Sequence, residues 1–247
     1  MTKTLTLLVI WLCVLMTLSA AADSSTQSGD TDLTIVSDGR SMAKIVVSPQ
    51  VGEWERRAAE DLVYFIELMT GAKIPILSDR ESIDAALVRG ALRRRSTPLE
   101  SSFPLLILGQ EAIDANPYLQ KAVQNVLKKS PKLRTDGIAL IRKDNHIFLA
   151  GNNDRSHYFA TSELLRRWGC RWYMPTDFGQ CIPEQSELHI GQLNHAYSSP
   201  FEIRTYWISW IGDGTGADEF KARNMADRPV SHASDRTRPG SIHQRSR

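Results

Sequence analysis

The chain has 247 residues, and its 30 basic and 28 acidic side chains leave a formal net charge of only +2. So small an excess gives no bulk attraction to nucleic acid. An apolar fraction of 42% is ordinary for a globular protein.

The first element is a leader. Lys3 is a basic start, Leu5 to Leu18 is apolar apart from Thr6 and Thr17, and Ser19-Ala20-Ala21-Ala22 offers small residues to a signal peptidase. Cleavage is expected after Ala22, with Ala21 as the alternative. The other reading, an uncleaved anchor, meets an apolar run shorter than the ~20 residues that a spanning helix needs. Residues 1–22 are therefore read as a signal peptide and the protein as secreted or periplasmic. No later stretch is apolar enough to span a bilayer. Residues 23–31, rich in Ser, Thr, Gly and Asp, read as a flexible leader.

Leu33 to Val36 reads as a strand, Asp38-Gly39 as a turn and Ala43 to Val47 as a second strand. Glu53 to Thr70 is the clearest helix. Trp54, Ala58, Leu62, Phe65 and Met69 recur at steps of three and four, and Gly71 stands where the helix should close. Ile74 to Leu77 follows as a strand. Residues 79–103, with Arg93-Arg94-Arg95, read as a solvated surface insertion, because a nucleic-acid patch would interleave aromatics and none occurs there before Phe103. Leu105 to Leu108 is a fully apolar strand. Residues 111–129 read as a loop and then a helix. Gly137 to Ile141 and Ile147 to Ala150 form a hairpin around Lys143-Asp144-Asn145. A second strong helix spans 155–168, capped by Asn153 or Asp154 and ended at Gly169. Cys170 to Tyr173 and Glu187 to Ile190 are short strands. Residues 193–200 read as a linker, and an aromatic-rich segment opens at Phe201. From Ala226 the apolar pattern stops, so 226–247 is expected to be a disordered tail.

Short hairpins interleaved with two main helices predict an α+β fold, a mixed or antiparallel sheet with helices packed on a face. Three cysteines are present, of which Cys13 leaves with the signal. Cys170 and Cys181 either bridge a short loop, or Cys170 is a small buried hydrophobe and Cys181 is free. Trp172 and Tyr173 point to opposite faces of one strand, so at most one lies in the core.

The run Leu164-Leu165-Arg166-Arg167-Trp168-Gly169-Cys170-Arg171-Trp172-Tyr173-Met174-Pro175 resembles a segment of the domain that precedes the catalytic barrel in family-67 α-glucuronidases and in related exported bacterial proteins. The accessory domain of family-20 β-N-acetylhexosaminidases has a similar layout. Further pieces resemble it in the same order: Ala58 to Leu62, Met69 to Ile76, Leu106 to Gly109, Asp136-Gly137, and Ile147 to Gly151 with Arg155. Ser156 stands where the family more often has Gly. Together they span 33 to about 225.

The resemblance implies a hexosaminidase-type accessory domain over 32–192, with linker and barrel-entry residues over 193–225. Glycosidases usually set two carboxylates across the scissile bond, and in both families these sit on the barrel, so no catalytic residue is expected in the accessory domain. Pro200-Phe201-Glu202-Ile203-Arg204 resembles the first barrel strand, where the Arg holds sugar hydroxyls; Thr205 replaces the family's Gly. Arg204 is thus a candidate for binding substrate, the alternative being an ordinary strand arginine. Phe220 to Met225 resembles a helix of the uncharacterised relatives. About 47 residues follow Pro200, against ~250 for a (β/α)₈ barrel, so the expectation is a truncated barrel and a chain that is inactive alone. Trp172, Tyr173, Trp207 and Trp210 are candidate stacking platforms for sugar, although core packing is the better account of the Trp172-Tyr173 pair.

Gly212 to Gly216 lacks the following Lys of a phosphate loop and reads as an ordinary loop. Asp213, Asp218 and Glu219 read as loop charges. His146, His157, His189 and His195 have no metal-ligand spacing. No metal or other cofactor is expected. The expected partner is carbohydrate or a catalytic barrel domain, with no nucleic acid and no membrane beyond the signal peptide. Two further readings stay open: a stand-alone carbohydrate-binding module, and a structural domain docking on a separately encoded barrel.

Overall fold

A computed structural model of the chain describes residues 32–92, 103–205 and 216–226, with side chains 88–92 left aside. All of them belong to the compact unit Asp32–Arg247. The expectations for the signal peptide, for 23–31, for Arg93-Arg94-Arg95, for Trp207 and Trp210, for Gly212 to Thr215 and for the tail from Asp227 onward lie outside the described residues.

Strand β1 (Leu33–Ser37) turns through Asp38 and Gly39, at φ 48° and 68°, into β2 (Arg40–Ser41). Two left-handed residues in succession are what a tight two-residue hairpin requires. β3 (Lys44–Val46) leads into α1 (Glu53–Thr70), which ends at Gly71 with φ 74° and its amide on the Glu67 carbonyl. β4 (Ile76–Leu77) follows. The stretch read as a solvated insertion then holds a helix, α2 (Arg80–Leu92). The Asp79 carboxylate accepts the Ser82 amide at 2.8 Å to start it, and Ile83 is fully buried. A single buried anchor leaves too little apolar period to be read from sequence.

β5 (Leu105–Leu108) runs directly into α3 (Gly109–Ala115), where the sequence suggested a loop, and α4 (Tyr118–Val126) follows. β6 (Gly137–Lys143) and β7 (His146–Gly151) form the expected hairpin. In α5 (Asp154–Arg167) the cap is Asn153, in a reciprocal box with Ser156. β8 (Arg171–Trp172), β9 (Gln180–Cys181), β10 (Leu188–Ile190) and β11 (Asn194–Ser198) complete the strands. β11 corrects the linker reading: it is an edge strand paired antiparallel with β6 from Asn194↔Ile141 to Ser198↔Gly137. Its residues are mostly half-exposed, as an edge strand's are, which hid it from a hydrophobic scan. Helix α6 (Ala217–Arg223) closes the described chain.

The fold is α+β. Its main sheet has six strands in the order β11-β6-β7-β5-β3-β4, parallel from β7 to β4 and antiparallel at the β6 and β11 end. A three-stranded sheet, β10-β1-β2, and the β8-β9 ribbon stand beside it. Helices cover both faces of the main sheet rather than one. α1 and α5 bring Leu62, Phe65, Phe159 and Leu164 onto Ile45, Leu106 and Leu149. On the other face, Ile83, Ala112, Leu119 and Val123 from α2, α3 and α4 meet Val46, Ile107 and Phe148. Alternate residues of β5 and β7 therefore serve opposite cores, and both strands are apolar apart from His146 at the start of β7.

Candidate functional site

Arg204 stands beside a cleft of about 380 Å³, whose walls also carry Asp136, Phe159, Glu163, Arg166, His195 and Tyr197. Every donor-bearing nitrogen of its guanidinium is engaged. Nε donates to the Met225 carbonyl at 2.7 Å, Nη1 to the Phe201 carbonyl at 2.9 Å and Nη2 to Asp136 Oδ2 at 3.0 Å. The Asp136 side chain is 2% exposed and has one further donor, Asn153 Nδ2 at 2.9 Å, and a second ion pair, with Arg134 Nε at 3.4 Å. Such a pair costs desolvation and is kept only when its hydrogen bonds are complete, as they are here. Two residues earlier, Glu202 accepts from Lys128 and from the Leu133 amide at 2.7 Å; the Lys128 ammonium holds its carboxyl below the usual range. Arg204 and Glu202 thus fasten the segment after β11 to the α+β body.

Helix α6 is fastened as well. Arg223 grips Asp61 of α1 with two hydrogen bonds, at 2.9 and 3.0 Å, and Tyr158 of α5 donates its hydroxyl to the same carboxylate. Burial first, and the Asp61 charge second, push the Tyr158 phenol well above its ordinary range. Burial works against the Arg223 charge, but the bonds to Asp61 more than offset it and raise its pKa. Asn224 Nδ2 donates to the Trp172 carbonyl at 3.1 Å.

In the cleft, Glu163 accepts from Arg167 Nε at 3.0 Å, so both wall carboxylates are held by guanidinium groups. Tyr197 lies parallel to His195, with ring centroids 6.4 Å apart, and is 44% exposed. The pair forms an aromatic shelf on the edge strand. Its residues alternate too little in polarity to be told from a linker by sequence.

Trp172 corrects the stacking expectation. It is 4% exposed, edge-on to Phe65 at 5.2 Å, and offers no face to a ligand; its indole N–H is buried without an acceptor. Tyr173, 71% exposed, faces solvent. Cys170 and Cys181 are both free. Arg171 pairs across the ribbon with Cys181, so these two side chains share a face that the neighbouring Cys170 turns away from. Cys170 lies in the core, its sulfur 3.6 Å from that of Met69, and burial pushes its thiol up to about 12.

A second group of carboxylates, missed in the sequence, gathers where β3, β5 and β7 end. Asp154 reaches across to α1 and accepts the Trp54 and Glu55 amides at 3.2 and 3.0 Å. It fills the space where a Cβ at Gly52 would come within 2.2 Å of its oxygen, so only glycine fits there. Glu55 is buried over Gly109, and its Oε1 has no hydrogen-bond partner. Burial pushes its carboxyl up to about 7, helped by Asp154 and Glu111 and opposed by the Gln110 amide. Glu111 is answered by Arg80. One signal was legible: Glu55 falls in phase with Ala58, Ala59 and Leu62 on the apolar stripe of α1.

Among the described residues no cluster of His, Cys, Asp and Glu is arranged to hold a metal ion, and no helix is long and apolar enough to cross a membrane. No family model and no curated protein matches the chain.

Proposed function

We propose that this chain carries the non-catalytic α+β domain of an exported glycoside hydrolase of the α-glucuronidase or β-N-acetylhexosaminidase type, and that the Arg204 cleft is where it meets glycan. The observation that carries the reading is the buried Arg204–Asp136 pair. It ties the segment resembling a barrel entry to the domain resembling the accessory module, as a two-part enzyme needs. Export rests on the leader at 1–22. Both carboxylates of the cleft are committed to guanidinium partners, which suits a binding surface better than an acid–base pair. The His195–Tyr197 shelf gives a pyranose ring an aromatic face to lie on. Arg204 is, in this reading, a positioning residue, its nitrogens already spent on the fold.

Affinity electrophoresis of the purified chain through gels holding glucuronoxylan or soluble chitosan tests this. Retardation by at least one polymer, reduced by Tyr197→Ala, is expected. Free migration through both counts against the proposal.

A further inference from the structure

Adjacent parallel strands whose following helices leave to opposite faces open a crevice at their carboxyl ends, and ligands of such sheets settle there. β5 and β7 are such a pair. They lie side by side in register from Leu105↔His146 to Leu108↔Leu149. α3, which follows β5, packs on one core, and α5, which follows β7, packs on the other. A crevice of about 490 Å³ opens beside that point, between α3, the side of α4 and the Gly151-Asn152 end of β7. It is lined by none of the residues of the Arg204 cleft, and its volume suits a ligand of one or two sugar rings.

The lining decides the chemistry. Helix N-termini at such crevices ordinarily attract anions. Here those of the two long helices are already answered from within the fold, α1 by Asp154 and α5 by Asn153, and the Glu55 carboxyl lies over Gly109 at the start of α3. Among the described residues no lysine or arginine lines the crevice, and the single carboxylate among them, Asp114, accepts from Gln110 at 2.8 Å. The remaining polar groups are neutral. Gln120 and Gln124, one turn apart on α4, each offer both a donor and an acceptor. His157 is 8% exposed, and its Nδ1 accepts the Gly151 amide at 2.9 Å. The ring proton is thereby placed on Nε2, which has no protein acceptor among the described residues. Burial pushes the imidazole down to about 4, so it stays a neutral donor. Ile113 and Val123 supply apolar surface between these groups.

We propose that this crevice binds an uncharged polyhydroxyl ligand of sugar size, with His157 Nε2 donating and Gln120 and Gln124 bridging neighbouring hydroxyls. The site stands apart from the Arg204 cleft and does not depend on the glycosidase reading.

The test is a titration of the isotope-labelled full chain with xylose, glucose and N-acetylglucosamine, and separately with inorganic phosphate, followed through the side-chain amide signals of Gln110, Gln120 and Gln124. At least one sugar should give saturable shifts, with dissociation in the millimolar range or tighter. Gln120→Ala/Gln124→Ala changes two exposed residues of α4 and should weaken that binding at least fivefold, with the fold unchanged by its backbone amide spectrum. No saturable shift with any of the three sugars overturns the proposal. So does binding that survives the double substitution, or phosphate shifting the same signals. Sugar shifts confined to His195 and Tyr197 would overturn this site while supporting the cleft reading; glutamine shifts without them would do the reverse.

Discussion

Asp136 and Glu55 are two acidic residues buried to the same degree, each 4% exposed over the whole residue, at opposite extremes of satisfaction. Asp136 has Arg204 and Asn153 as donors and Arg134 as a further ion-pair partner. Glu55 has one oxygen without any partner, beside two other acids. Burial alone therefore does not decide whether a charge holds a fold together. The geometry of its donors does. At Asp136 the charge fastens a following segment to the domain. At Glu55 it is a burden that the protein meets by keeping a proton to higher pH.

The comparison breaks first at Asp136. Asp136→Ala removes the anchor and leaves Arg204 without its anion, so a loss of about 3–5 kcal/mol is expected in urea unfolding at neutral pH. A loss under about 1 kcal/mol would mean the pair is incidental. The next largest effect has the opposite sign. The folded-state pKa of Glu55 is raised from 4.5 to about 7, so its contribution is fully present below about pH 4.5 and lost as pH rises through 7. The loss is on the order of 3 kcal/mol when complete. Glu55→Gln should match the parent near pH 4 and exceed it by about 3 kcal/mol at pH 8; equal stabilities at both pH values would remove the orphan from the account. A smaller effect belongs to the cap of α5, which supplies walls to both clefts. Asn153→Ala should cost about 1 kcal/mol, read as a shift in the urea midpoint with unchanged slope. The smallest concerns the thiols. Cys181→Ser should change stability by under about 0.5 kcal/mol, and a thiol reagent should label Cys181 in the native chain but Cys170 only after unfolding, because Cys170 is buried.

Much of the frame was legible in the sequence. Glu53–Thr70 and the hairpin at Asp144 announce themselves through period and turn chemistry, and so does the close of α5 at Gly169. What was hidden depends on partners far along the chain. α2 shows one buried anchor, Ile83, in its described side chains. β11 is an edge strand without alternation, recognisable only through its pairing with β6. The Asp154 cap on α1 spans about a hundred residues, and nothing near Gly52 signals it. The same holds for the candidate sites. The Pro200 to Arg204 motif marks Arg204, but its partner Asp136 lies 68 residues earlier with no local signal. The crevice between α3, α4 and the end of β7 follows from which face each helix takes, a property of topology that no local motif carries.

The most direct measurement on the central reading is hydrolysis of aryl α-glucuronides and aryl N-acetyl-β-glucosaminides by the purified chain, run beside the electrophoresis through glucuronoxylan and chitosan. The account predicts glycan binding with no release of the aryl group above the buffer rate. Steady turnover that is abolished by Asp136→Asn or Glu163→Gln would contradict it, because the carboxylates assigned to fastening would then be performing the chemistry.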